Sequence, residues 1–324
     1  MQPKVVVASG GLLEQILDQT FPVWGEGLTR EGYGRYNRAQ LSTTWGAASL
    51  RRLALVNGEG RPLASAKRYD LLTRLDGEPV KTLGLGAVFT PEAHRGHGYA
   101  GELLRQMMDA AAAEGYGLAM LFSEIAPRYY ERLGFRRIPT NQVTLAVGPG
   151  RRPGPLAISM RSGDLRDVPA LVEMNASAGE GCRFALVRDA DYVGWAITKK
   201  RLLAASGPSG HRRVEFFVVE EGGRAAAYVV LLEVGSFAMV TECGDRDPSG
   251  ARVGAMLQTL IARDPTAISH LRAWLPPGFL PPQAEILARE IPPIAMMIRP
   301  LGRHVWPSPP LEAGDIVWWH ADAF

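Results

Sequence analysis

Cysteine is nearly absent. The 324 residues hold only Cys182 and Cys243, without C-x-x-C spacing, so neither a disulfide framework nor a thiolate zinc site is indicated. The six histidines, His94, His97, His211, His270, His304 and His320, contain no H-x-x-x-H pair, which leaves metal chemistry without ligands. Long apolar runs are missing too: none reaches the roughly twenty residues that span a bilayer. The N-terminal MQPKVVVASGG has a shorter apolar stretch than a secretory signal, so a reducing cytoplasm, with no membrane partner, is the expected setting. Excess charge is small, 36 basic against 33 acidic residues. A net +3 suits a polyanionic cofactor, but it is too diffuse for nucleic acid, and no basic stripe interleaved with aromatics is present. With 46% hydrophobic and 21% charged residues over this length, the chain reads as a globular protein of two domains.

What is present concentrates between Leu83 and Phe135. A β-rich run from Thr82 to Thr90 ends at Pro91, and a glycine-rich turn then opens into an amphipathic helix. Leu103, Leu104, Met107, Met108 and Ala111 form the core-facing stripe of that helix. The first N–H groups of a helix lack intrahelical partners and carry the positive end of its dipole, so this turn is suited to an anion. Gly96 and Gly98 let a phosphate approach bare backbone. The dinucleotide fingerprint is met only as far as Gly96, Gly98 and Gly101, and the Walker lysine is absent.

The pattern Arg95-x-x-Gly98-x-Ala100 resembles the pyrophosphate loop of the GNAT acetyltransferases. Tyr129-Tyr130-Glu131-Arg132-Leu133-Gly134-Phe135 resembles their YEKLGF segment. A buried strand, Leu118 to Phe122, lies before that segment. The competing reading, a glycine loop that only packs a helix on a sheet, is disfavoured because both motifs occur together in strand and helix context.

Upstream, a short strand from Val5 to Ala8 precedes a helical pattern on Leu12, Leu13, Ile16 and Leu17. An aromatic-rich stretch follows, with Trp24, Tyr33, Tyr36 and Trp45, which suits either a substrate mouth or sheet cover. Arg52–Val56 and Arg61–Asp70 read as a hairpin around Asn57-Gly58-Glu59-Gly60. After a strand expected from Phe135 to Val147, the segment 148–155 is a Gly/Pro/Arg linker. The order then restarts with a strand at 158–164 and a helix at 165–174 capped by Asp164. Strands at 214–219, 225–232 and 237–241 and a helix at 251–261 follow. The segment before that last helix, Gly244 to Gly250, holds Asp245, Asp247 and Pro248 where a diphosphate would need open N–H groups.

The expected fold is therefore α/β, a tandem GNAT fold with mixed, mostly antiparallel sheets and flanking helices. Residues 1–147 form its catalytic unit, 156–303 a degenerate copy, and 304–324 a tail docking on them. The arrangement resembles two tandem GNAT groups, the enhanced-intracellular-survival type and the fungal-type free-lysine N-acetyltransferases. Where the former carry a further sterol-carrier-like domain, only the tail 304–324 is expected here.

This resemblance implies acetyl-CoA as cosubstrate and direct attack on the thioester by a primary amine. The amine would be a free amino acid such as lysine, an aminoglycoside-like amine or a protein lysine. It also implies that Arg95, Gly96, His97, Gly98, Tyr99, Ala100 and Gly101 hold the diphosphate, the histidine side chains themselves reading as solvated. Ala87, Val88 and Phe89 would offer backbone to pantetheine and thioester. Ser123 stands where many relatives have an asparagine that contacts the pantetheine arm, so that contact is shortened or lost. Tyr130 matches the acid that protonates the departing sulfur, with Tyr129 packed beside it. The survival-type enzymes use their terminal carboxylate as base, here that of Phe324, whose ring is expected beside Tyr130. Glu124 and Asp70 are alternative bases by their positions at strand ends. A homo-oligomer is left open. The rival readings are a non-catalytic acyl-CoA-binding or sensor protein, against which Tyr130 argues, and a scaffold that uses its Trp-rich tail.

Overall fold

A computed structural model describes residues 2–124, 127–148, 158–207, 212–235, 237–263 and 270–324. The linker expected at 148–155 lies outside them from position 149 onward. The chain divides into two units: Met1–Pro139 with Pro293–Leu311 and Phe324, and Thr140–Pro292 with Glu312–Ala323.

The first unit begins with β1 (Lys4–Val7), α1 (Gly10–Trp24), α2 (Arg30–Leu41) and α3 (Thr44–Ser49). The last two are capped by Thr29 and Thr43, whose hydroxyls accept from Gly32 N and Gly46 N. A meander follows, β2 (Leu50–Val56), β3 (Pro62–Leu75) and β4 (Glu78–Phe89), and then α4 (Tyr99–Ala113), β5 (Leu118–Ser123), α5 (Pro127–Glu131) and β6 (Arg136–Arg137). The β2–β3 hairpin forms at the expected turn, where Asn57 Oδ1 accepts from Glu59 N and Arg61 N. Leu103, Leu104, Met107, Met108 and Ala111 of α4 are buried against one face of the sheet, as their spacing predicts. Each such large apolar side chain contributes roughly 1.5–3 kcal/mol on burial.

The second unit holds β7 (Gln142–Val147), β8 (Met160–Ser162), α6 (Val168–Ala178), β9 (Phe184–Leu186) and α7 (Ala190–Ser206). Next come β10 (Arg212–Glu221), β11 (Arg224–Val234), β12 (Phe237–Asp245), α8 (Ala251–Arg263), β13 (Leu271–Ala273) and β14 (Ala284–Glu290). The chain then supplies β15 (Ala295–Pro300) to the first unit and β16 (Ile316–Val317) to the second. Asp164 caps as expected, although the helix opens with a 3-10 turn, Leu165–Asp167.

Strand order is β1-β2-β3-β4-β5-β15-β6 in the first unit and β14-β7-β13-β12-β11-β10-β8 in the second. In each, one parallel pair, β4 with β5 and β12 with β13, brackets a helix, and the other pairs along these orders are antiparallel. The second unit thus repeats the topology of the first. Two expected placements differ. The single strand from Phe135 to Val147 is broken at Pro139, whose missing N–H and fixed φ interrupt a ladder. Its second half, β7, pairs with β13 and β14 of the second unit, while β15, expected in the second unit, lies between β5 and β6 of the first.

Candidate active site

The turn between β4 and α4 is built for close approach. Gly96 has φ 80°, and Gly98, the N-cap of α4, has φ 80° and ψ 4°, a left-handed conformation that side chains disfavour. A Cβ at either glycine would meet nothing within 4 Å, so both positions face open space. Gly98 has no side chain to cap the helix, and the first intrahelical bond runs from Glu102 N to Gly98 O at 3.0 Å. The N–H groups of Tyr99, Ala100 and Gly101 are therefore left without intrahelical partners at the positive end of the dipole. Arg95 is exposed, with its Nε donating to Thr90 O at 3.3 Å. The His97 ring stacks on Tyr99 at 5.7 Å, which keeps it at the turn's surface.

Next to this turn the sheet opens. Pairing of β4 with β5 runs from Thr82–Leu118 to Leu85–Leu121 and stops, so Ala87, Val88 and Phe89 extend beyond the β5 ladder. On the other side, Gly86 pairs with Lys67 and Phe89 with Ser65, which places three steps of β4 against two of β3. This is a bulge, and Ala87 within it has φ 46°, unusual for a residue with a side chain. The buried Arg52 donates from Nη1 to Ala87 O at 3.4 Å. Neither Arg52 nor the strained alanine is legible in the sequence, because a bulge carries no local composition signal when glycine is absent from it.

The chain terminus lies on the same strand. The Phe324 ring packs against Tyr69 at 4.3 Å and Phe122 at 5.4 Å. Gly84 and Gly86 make room for it. A Cβ on Gly84 would fall 2.7 Å from Phe324 Cζ, and one on Gly86 would fall 3.4 Å from the terminal carboxyl carbon.

Residues 17–138 match the family described as Acetyltransferase (GNAT) domain. The first unit is a GNAT acetyltransferase domain. No curated protein sequence matches the chain. Among solved structures, a GCN5-related N-acetyltransferase from Kribbella flavida aligns with a TM-score of 0.67 at 17% identity, over 92% of this chain and 72% of that one. Eis1 from Mycobacterium abscessus aligns at 0.58 and 15% identity, over 92% and 73%. The N-myristoyltransferase of Saccharomyces cerevisiae, solved with bound myristoyl-CoA, aligns at 0.55 and 9% identity, over 97% and 87%. At these identities the likeness is one of fold, and it extends over both units.

Within the GNAT domain, Tyr130 is half-buried beside Tyr129 and Phe135, with ring centroids at 5.1 and 6.2 Å. Burial, and then the neighbouring Tyr129, push its hydroxyl up to about 12. Burial also raises Tyr129, whose hydroxyl lies 3.5 Å from a Cβ position on Gly101 and so covers the first turn of α4. Ser123 is buried at the end of β5, opposite Ala295 of β15. Glu124, next to it, is exposed. Asp70 accepts from Arg68 Nε at 2.7 Å, and Arg68 also bridges to Glu114, so the Asp70 carboxylate is part of an ion-pair network.

In the second unit the corresponding helix terminus is closed by the chain itself. Asp245 accepts from Arg252 N at 2.9 Å and Val253 N at 3.4 Å, so its carboxylate sits where an anion would bind at α8. Asp247 accepts from Ser249 N at 2.9 Å. Phe279 and Pro281 cover Gly250, and Gln283 covers Gly254. The two acids noted in the sequence act as internal ligands of this loop.

Proposed function

We propose that the protein is an acetyl-CoA-dependent N-acetyltransferase that acetylates a primary amine. A free amino acid such as lysine is the preferred acceptor, ahead of an aminoglycoside-like amine or a protein lysine. The observation that carries this reading is the pairing of an open, uncapped helix N-terminus at Gly98 with the opened strand at Ala87–Phe89. One holds a diphosphate, and the other offers free backbone to a pantetheine arm and a thioester carbonyl. The thioester supplies an activated acyl group; the chain supplies binding and proton handling.

In this reading Arg95 and the amides of Gly96 to Gly101 hold the diphosphate, with His97 contributing backbone only. Ala87, Val88 and Phe89 orient the arm, and Ser123 borders it. Tyr130, held protonated by burial, gives its proton to the sulfur as negative charge develops there. The Phe324 carboxylate, held at Gly86, takes the proton of the attacking ammonium. Glu124 is the alternative base. A panel of amines incubated with acetyl-CoA, with CoA release followed by thiol detection, tests the reading. Release that depends on one amine class is expected. Tight acetyl-CoA binding without release for any amine would instead favour an acyl-CoA sensor.

A further inference from the structure

The second unit contains a buried charge cluster that the acyl-transfer reading leaves unused. Side-chain exposure is 3% for Arg188 and 1% for both Glu242 and Asp322. Arg188 Nη2 donates to Glu242, Nη1 donates to Asn175 Oδ1 at 2.7 Å, and Nε lies 3.4 Å from Asp322 Oδ1. Asn175 is itself fully engaged. Its amide donates to Leu171 O at 2.8 Å and Tyr228 Oη at 2.9 Å, and its Oδ1 also accepts from Trp319 Nε1 at 2.6 Å. Two of these groups, Trp319 and Asp322, belong to the terminal segment. Further contacts bind the same segment: β16 pairs in parallel with β9, Trp318 stacks on Phe184 at 5.9 Å, and Lys200 Nζ donates to Ala321 O at 3.1 Å.

The location gives the cluster its meaning. Pairing of β12 with β13 ends at Val240–Ala273, and β12 bulges between Val240 and Glu242. Glu242 therefore stands in the stretch of β12 that corresponds to Ala87–Phe89 in β4. Trp319 is buried in the apolar cluster of α8, yet its N–H reaches Asn175 on α6, which belongs to a different core cluster. The indole thus links two core clusters that lie on opposite faces of this sheet.

We propose that the opened sheet of the second unit is the socket of the chain's own terminal segment. Arg188 and Asn175 act there as positioning residues that latch Asp322 and Trp319, and thereby fix the chain end two residues on at Phe324. Only the kinetic consequence of this latch rests on the proposed acetyltransferase reading.

Asp322→Ala is the informative change, because it leaves Arg188 paired with Glu242, whereas loss of Arg188 would strand two buried carboxylates. Trp319→Ala is the second variant, and Trp319→Phe the conservative control. Carboxypeptidase A is added to each variant of the 324-residue chain and release of Phe324 is timed. Asp322→Ala and Trp319→Ala should release it about tenfold faster or more, since cleavage follows the population of the opened end. Trp319→Phe, which keeps an apolar ring but loses the Nε1 bond to Asn175, should fall between wild type and Trp319→Ala. In the same variants kcat should fall about tenfold with KM for acetyl-CoA unchanged, a split expected when a catalytic group is misplaced rather than a binding site lost. Release at the wild-type rate in both alanine variants overturns the latch. Absence of acetyl transfer by the wild-type protein overturns the acetyltransferase reading, and the carboxypeptidase arm still decides the latch.

Discussion

A pair of substitutions at Gly98 separates backbone strain from charge. At φ 80° a side chain is disfavoured by roughly 1–2 kcal/mol. Because a Cβ here meets nothing within 4 Å, no clash adds to that cost. Gly98→Ala should therefore lower the melting temperature by several degrees, at about 2–4 °C per kcal/mol for a unit of this size. Its acetyl-CoA affinity should fall little, since the added methyl meets nothing within 4 Å and carries no charge. Gly98→Glu carries the same strain and adds a carboxylate at the helix N-terminus, where it competes with the diphosphate. At about 5 Å and an effective dielectric of 20–80, each unit of phosphate charge is opposed by about 1–3 kcal/mol, or roughly fivefold to somewhat over a hundredfold in affinity. Calorimetric titration with acetyl-CoA at two salt concentrations, with thermal melts of both variants, checks this. The loss in the glutamate variant should shrink at high salt. Equal affinity losses in both variants would show that loop shape, not charge, decides binding. Wild-type affinity in Gly98→Glu would remove the diphosphate from this turn. The second unit already shows the acidic arrangement, with Asp245 engaging Arg252 N and Val253 N.

Tyr130→Phe should lower kcat about a hundredfold with little change in KM for acetyl-CoA, as for loss of a general acid. Because burial holds the Tyr130 hydroxyl up to about 12, the protonated and competent form persists to high pH, and the rate should show no alkaline loss from this group below that value. An alkaline limb near the ordinary tyrosine value of about 10 that vanishes in Tyr130→Phe would contradict this. Adding a few residues after Phe324 displaces the terminal carboxylate and should abolish most turnover; full activity would transfer the base role to Glu124. Gly84→Ala places a Cβ 2.7 Å from Phe324 Cζ and 2.9 Å from Tyr69 Cβ. It should cost about 1–3 kcal/mol by overpacking and reduce turnover, and an unchanged melt would show that the Phe324 ring is not held there.

The anion turn and α4 were legible from residues alone, because what shapes them acts within a few positions: glycines that accept left-handed backbone, a helix without a side-chain cap, and an apolar stripe at helical spacing. The same held for Asp164 and for the acids before α8, whose carboxylates bond N–H groups at most eight residues away. Strand membership was different. Gln142–Val147 lies in a run expected as a strand, while nothing local marks Ala295–Pro300; in both cases a strand's partners are chosen by distant backbone. Only the folded chain assigned β7 to the second unit's sheet and β15 to the first. The seat of Phe324, on Tyr69 and Phe122, was likewise settled by packing. Arg188, Glu242 and Asp322 lie 54 and 80 residues apart along the chain, so no periodicity links them. Their pairing exists because folding removes water from all three, and a buried guanidinium is stable only where carboxylates and amides surround it. Local backbone preferences are written residue by residue; long-range pairing and desolvation arise only once the sheets have closed.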